Sequence, residues 1–116
     1  MIQQPYSGVR RMVCYERGTL EAAGRAREAT VWNLSVLGAY VSVDPIPQVG
    51  EHVRIVFQLP PSGPLLQARA EVAWRNTVQN PRCLALPYGC GLHFLGLAAA
   101  DRDRIGALVE AAAKVG

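Results

Sequence analysis

The sequence lacks the features that mark membrane-spanning, secreted and disulfide-rich proteins. Cysteine occurs three times and lysine once, and aromatic residues make up 7% of the 116 positions. No apolar run approaches the roughly 20 residues that a membrane-spanning helix needs, and residues 1–5 lack the basic and apolar blocks of a signal peptide. An odd number of cysteines (Cys14, Cys83 and Cys90) is a poor disulfide framework and is typical of a reducing compartment. We therefore expect a cytoplasmic protein that does not insert into membranes.

The excess of positive charge is small, but it is concentrated near the N-terminus. The net charge is +3, which is too small to predict binding to long DNA or RNA. Residues 1–27 hold five arginines against two glutamates, and the rest of the chain balances to zero. Arginine offers a planar fork of donors that binds phosphate or a guanine edge. The alternatives for this cluster are an anion-binding surface and an arginine-rich solvated surface.

The chain reads as one folded domain. Half of its residues are hydrophobic and 18% are charged, as in ordinary folded proteins. We expect residues 1–9 to be a flexible lead-in and residues 10–116 to form the domain. Short β-type runs separated by turn signals predict an antiparallel barrel or sandwich. The predicted strands are 12–20, 25–32, 39–43, 51–59, 66–74 and 88–95, and a helix is predicted over 98–115.

Two patterns predict which side chains face the core. Residues 66–74 alternate, so that Trp74 is expected to face inward with Ala68, Ala70 and Val72. The tail carries an apolar stripe at helical spacing, which we expect to dock on the strands: Ile105, Leu108, Val109 and Ala112.

The most informative segment is Asn33-x-Ser35-x-x-Gly38, where a strand breaks into a polar turn. Asn33 can donate and accept hydrogen bonds, and Ser35 can bond nearby backbone groups. Gly38 permits a positive φ or the close approach of a ligand. Local chemistry alone fits an ordinary Asx/Ser turn equally well.

This segment resembles the D/N-x-S-x-x-G motif of PilZ domains. Four further stretches are similar to the family's pattern in the same order, namely 50–55, 70–74 with its final Trp74, 91–95 and 101–105. The resemblance covers roughly residues 10–115. It implies a six-stranded antiparallel β-barrel with a C-terminal α-helix, acting as a regulatory module and not as an enzyme.

Many PilZ domains bind the bacterial second messenger cyclic di-GMP, with an R-x-x-x-R motif before the first strand. The resemblance therefore implies a ligand site made of Arg10, Arg11, Asn33, Ser35 and Gly38. In this chain no two arginines near position 11 are four residues apart, so one arginine of that motif is missing. Loss of one charged partner costs about 1.5–3 kcal/mol. Two functions stay open: a cyclic di-GMP receptor that regulates a partner protein, and a domain without nucleotide that acts as an adaptor in pilus or motility machinery.

Other chemistries receive little support from the sequence. Cys90-x-x-His93, with Cys83 nearby, lacks a fourth ligand for a structural zinc site. No nucleophile elbow, P-loop or dinucleotide fingerprint is present. We expect no cofactor and no metal, with cyclic di-GMP as the candidate regulatory ligand.

Overall fold

The structure, a computed structural model, describes residues 9–115, without the side chain of Val115. The predicted lead-in therefore lies outside the described residues, apart from Val9. Six strands are followed by one helix, as predicted: β1 (Met12–Ala22), β2 (Arg25–Leu34), β3 (Gly38–Val43), β4 (His52–Gln58), β5 (Leu65–Asn76), β6 (Gly89–Leu95) and α1 (Ala99–Val115).

The strands close into a barrel in the order β1-β2-β3-β6-β5-β4, and every neighbouring pair is antiparallel. The predicted six-stranded antiparallel barrel with a C-terminal helix is confirmed. The β1–β2 turn is formed by Ala23 and Gly24, both with positive φ, which is the geometry of the two-residue hairpin turn that matches strand twist.

Alternation along each strand fills the barrel with apolar side chains. In β4, Val53, Ile55 and Phe57 are buried, whereas His52 and Arg54 are exposed. This inward and outward alternation stabilises the fold because it removes apolar surface from water.

Helix α1 packs on the barrel through part of its predicted stripe. Ile105 and Val109 belong to the buried core, and Leu108 is partly buried beside it. Ala112 is exposed, so its predicted docking is wrong. Asp101 near the start and Lys114 near the end complement the helix dipole. Within the described residues, no helix has the length and apolarity to cross a membrane.

The predicted inward orientation of Trp74 is wrong. The register between β5 and β6 shifts between Val72 and Trp74, and Trp74 then pairs with Gly91. Cys90 and Leu92, which flank Gly91, point into the core, so Gly91 and Trp74 share the outer face. Trp74 is buried because it packs there against Tyr40, with ring centroids 5.2 Å apart.

Candidate functional site

The polar motif forms a tight corner between β2 and β3, which we call the corner (residues 33–38). Ser35 is 1% exposed. Its Oγ accepts hydrogen bonds from the backbone N–H groups of Leu37 (3.1 Å) and Gly38 (3.2 Å), and its own N–H donates to the Gly38 carbonyl at 2.9 Å. Ser35 therefore stabilises the turn through hydrogen bonds to its backbone, and its hydroxyl does not face solvent.

Gly38 is required by the neighbouring strand. A Cβ at this position would overlap the carbonyl oxygen of Leu92 in β6. Gly38 is not among the glycines with positive φ, and next to it the N–H of Phe94 donates to the Leu37 carbonyl at 2.8 Å. We expected Gly38 to permit either a positive φ or the close approach of a ligand. It permits a close approach, but the group that approaches is strand β6.

Asn33 connects the corner to β3 and keeps a donor available. Its Oδ1 accepts a hydrogen bond from the Tyr40 N–H at 3.2 Å. The residue is half-buried, and no described residue accepts a hydrogen bond from its Nδ2 amide. This amide is therefore placed to donate hydrogen bonds to an acceptor outside the barrel.

Four of the five predicted site residues surround one small depression on the barrel wall. They are Arg11, Asn33, Ser35 and Gly38, and the remaining lining comes from Ala39, Tyr40, Trp74 and Gly91. The depression has a volume of about 10 Å³, which is room for about one water molecule. A nucleotide would have to lie across its mouth.

The fifth predicted residue, Arg10, turns toward the helix. Its Nη1 lies 3.0 Å from Oε1 of Glu110 on α1, and both side chains are more than half exposed. An exposed pair of this kind contributes at most about 1 kcal/mol. Arg10 is therefore held only weakly away from the depression.

Tyr40 and Asn76 form a buried polar network that the sequence did not indicate. The Tyr40 hydroxyl donates to the Pro87 carbonyl at 2.6 Å and accepts from Asn76 Nδ2 at 3.2 Å. Asn76 is fully buried, and its Oδ1 accepts from the N–H groups of Arg82 and Cys83 at 2.7 and 3.1 Å. These bonds fix the irregular segment 77–88 over the outer face, and Arg82 stacks on Trp74 at 5.6 Å.

A larger groove lies along the outer face of β1, β2 and β3, and sequence reasoning missed it. Its volume is about 450 Å³, within the range of small-molecule sites. Two half-exposed tyrosines stand at its wall together with arginine, carboxylate and hydroxyl groups: Tyr15, Arg17, Glu28, Thr30, Ser42, Asp44 and Tyr88. The alternation of Tyr15 and Arg17 on one face of β1 was a signal for this groove, but its β2 and β3 walls depend on strand pairing.

Trp32 joins the groove to the corner. Its ring lies edge-on to that of Tyr15 at 5.1 Å, and its Nε1 donates to Ser42 Oγ at 2.8 Å. Trp32 thus contacts two residues that line the groove and precedes Asn33 of the corner in β2.

Cys90 and His93 cannot chelate one ion. Cys90 is fully buried in the core, and burial raises the pKa of its thiol to about 12. His93 is exposed on the opposite side of β6. Among residues 9–115, no cluster of three candidate metal ligands occurs.

Comparison with known proteins agrees with this architecture. The sequence matches the PilZ domain family over residues 8–111. The solved structure of the Bacillus subtilis inhibitor of motility (MotI/DgrA) superimposes with a TM-score of 0.70 at 18% identity, covering 97% of this chain. This chain spans about half the length of that protein, covering 51% of it. No match was found among curated protein sequences.

The similarity to the motility inhibitor shows a shared fold. The family match extends further, because it covers nearly the whole chain and includes the corner, both strands that flank it and the helix that seals the barrel. The chain belongs to the PilZ domain family.

Proposed function

We propose that this domain is a cyclic di-GMP-binding signalling module that regulates a partner protein. One observation carries the proposal: Arg11, from the segment before β1, lines the same depression as Asn33, Ser35 and Gly38. An arginine beside a polar corner supplies a cation for phosphate and donors for a guanine edge.

The five residues would divide the work. The Arg11 guanidinium would bind a phosphate or the O6/N7 edge of guanine, because its planar fork suits bidentate contacts. Asn33 would donate from Nδ2 to a guanine acceptor, since its oxygen already holds the Tyr40 N–H. Ser35 and Gly38 would act as positioning residues that keep the corner tight against β6.

Arg10 would join the ligand by exchanging partners. Leaving Glu110 costs little, because the ion pair is exposed. A ligand phosphate would replace the carboxylate as its acceptor. Arg10 would then partly compensate for the arginine that the family motif has and this chain lacks.

The ligand would lie on the wall and would not enter the barrel. The depression is too small for a base, whereas the adjoining groove offers the exposed ring of Tyr15 and the guanidinium of Arg17. Aromatic stacking contributes about 1–3 kcal/mol per base in nucleic-acid complexes. We therefore place the ligand over the depression with one end toward the groove.

Calorimetric titration with cyclic di-GMP tests the proposal. We expect Arg11→Ala to weaken binding about 10- to 100-fold, because one charged hydrogen-bond partner is lost. Asn33→Ala should weaken it by about tenfold. Arg102→Ala, which removes an exposed arginine on α1, is the matched control and should bind like the unmodified chain. No binding heat at about 100 µM ligand contradicts the proposal.

A nucleotide-independent adaptor is the second candidate. Two observations favour it. The Ser35 hydroxyl already accepts two backbone hydrogen bonds within the corner, and Arg10 contacts Glu110 on α1. In this case the domain would contact pilus or motility machinery through its surface alone. Cross-linking in the native cell, with cyclic di-GMP raised and lowered, separates the two, because an adaptor captures the same partner at both nucleotide levels.

A further inference from the structure

The far end of the barrel wall carries a pair of arginines directly opposite each other. Arg54 in β4 pairs with Arg69 in β5, and both are exposed. Directly opposite residues have Cβ atoms about 4.5–5.5 Å apart, and like charges in this position destabilise the sheet. A feature that costs stability calls for a use outside the folding of the domain.

The nearby carboxylates form no ion pair with the two arginines in the described part of the chain. Glu21 lies across from Arg54 on β1, yet the ion pairs found among the described residues do not include either residue. Glu71 follows Arg69 on the same face of β5, but it contacts His52 at 3.6 Å. Within the described part of the chain, Arg54 therefore has Glu21 as a cross-strand neighbour without an ion pair, and Arg69 has Arg54 and Leu95.

A cleft beside the pair can accommodate an extended peptide segment. Its volume is about 250 Å³, and it is bordered by both arginines, the β1–β2 turn and the end of β6: Glu21, Ala23, Gly24, His52, Val53, Arg54, Arg69 and Leu95. Arg25, at the start of β2, is exposed beside the same turn. With Glu21 counted, the border of the cleft carries a net charge of +1, and Arg25 raises it to +2.

We propose that Arg54 and Arg69 form a docking surface for an acidic segment of a protein partner, the basic patch. Two guanidinium forks on adjacent strands match successive carboxylates along an extended peptide, and charge complementarity steers such encounters. An extended acidic segment can also reach Arg25 beside the β1–β2 turn, which a single small anion held by the two forks cannot. The proposal rests on the domain acting through a partner, and it is independent of nucleotide binding.

The basic patch lies away from the corner. Arg69 precedes Trp74, which lines the depression, by five residues on β5, which is roughly 16 Å along an extended strand. Neither arginine of the basic patch lines the depression. Nucleotide binding and partner docking can occur on the same molecule at once.

Titration of the ¹⁵N-labelled full chain with an acetylated octaglutamate peptide tests this proposal, with the arginine Nε–Hε signals followed by NMR. We expect shifts centred on Arg54 and Arg69 that weaken as salt is raised, because exposed charges are screened. The double variant Arg54→Gln/Arg69→Gln should bind at least tenfold more weakly. Arg102→Gln/Lys114→Gln removes the same charge from α1 and should leave peptide binding unchanged.

Three results would overturn the proposal. These are absence of shifts at 5 mM peptide in low salt, equal loss of binding in the α1 control, and binding of inorganic pyrophosphate as tight as that of the peptide; the last would indicate a small-anion site.

Arg69→Glu supplies a variant that keeps its fold: its Tm should rise by about 1–4 °C as the like-charge pair becomes an ion pair, while peptide binding is lost. Cyclic di-GMP titrated into the same variants should bind unchanged, so failure of either proposal is seen separately.

Discussion

The corner and the basic patch use their polar groups in opposite ways. At the corner, the Ser35 hydroxyl and the Asn33 oxygen are bonded to backbone N–H groups of the same wall. At the basic patch, Arg54 and Arg69 lie opposite each other and form no ion pair among the described residues. The difference teaches that a polar motif can be chiefly structural, whereas charges outside it that form no ion pair are available for binding. Changes at the corner should therefore cost stability, and changes at the basic patch should not.

The largest expected effect is at Gly38. Replacement Gly38→Ala places a methyl group against the Leu92 carbonyl, and we expect about 3 kcal/mol of destabilisation in urea unfolding, at the upper end for overpacking. Gly106→Ala is the matched control. A Cβ there meets Val36 at an ordinary 3.7 Å, and alanine favours a helix, so this variant should gain about 0.5–1 kcal/mol. Equal stability of the two variants would contradict the assigned role of Gly38.

The second effect is a loss of stability in alkali through Tyr40. Burial raises the pKa of Tyr40 from 10.0 to about 12. The unfolded chain therefore ionises first, so the stabilisation is complete below pH 10 and falls as pH rises toward 12, by about 2–3 kcal/mol. Tyr40→Phe should be less stable than the unmodified chain at pH 8, by about 1 kcal/mol for the lost hydrogen bonds. A difference between the two proteins that stays constant from pH 8 to pH 12 would refute this account.

The third effect concerns Ser35. Ser35→Ala leaves the buried N–H groups of Leu37 and Gly38 without their acceptor, at a cost of about 2 kcal/mol. Ser62→Ala, in the exposed turn before β5, should change the free energy of unfolding by less than about 0.5 kcal/mol. If Ser35→Ala is as mild as the control, the hydroxyl is not needed for the turn and is available for a ligand.

The smallest effect has the opposite sign. Arg69→Glu should stabilise the domain by about 0.5 kcal/mol in low salt, because a repulsive cross-strand pair becomes attractive. Arg102→Glu on α1, near Asp101 and Asp103, is the control and should not stabilise. A destabilised Arg69→Glu would mean that Arg69 has a structural role, and the contrast with the corner would disappear.

The sequence predicted the barrel well because its strands alternate and its turns carry glycine and proline. The predicted alternation of residues 66–74 also leaves Arg69 facing outward, as observed. The prediction failed at Trp74 because the strand register shifts there, which reverses which side chains face inward. The alternation of apolar residues in the sequence does not reveal the one extra residue of a β-bulge. The groove at Tyr15 and the network at Asn76 were missed because both depend on contacts between segments far apart in the chain.

The candidate site was only partly predictable. The motif located the corner, but the directions of its polar atoms depend on which backbone groups they meet after folding. Nothing in the order of residues indicates that Asn33 turns its oxygen toward Tyr40, or that Arg10 reaches Glu110, 100 positions away. Those contacts decide which groups remain for a ligand.

The bare backbone of Gly91 has a consequence for how this wall can change over time. Any side chain there would collide with the indole of Trp74. This indole lies over Gly91 and packs beside the ring of Tyr40. Exchange of that one indole for a small residue would enlarge the depression that Trp74 and Asn33 both line. The size of this depression therefore depends on a single position on β5.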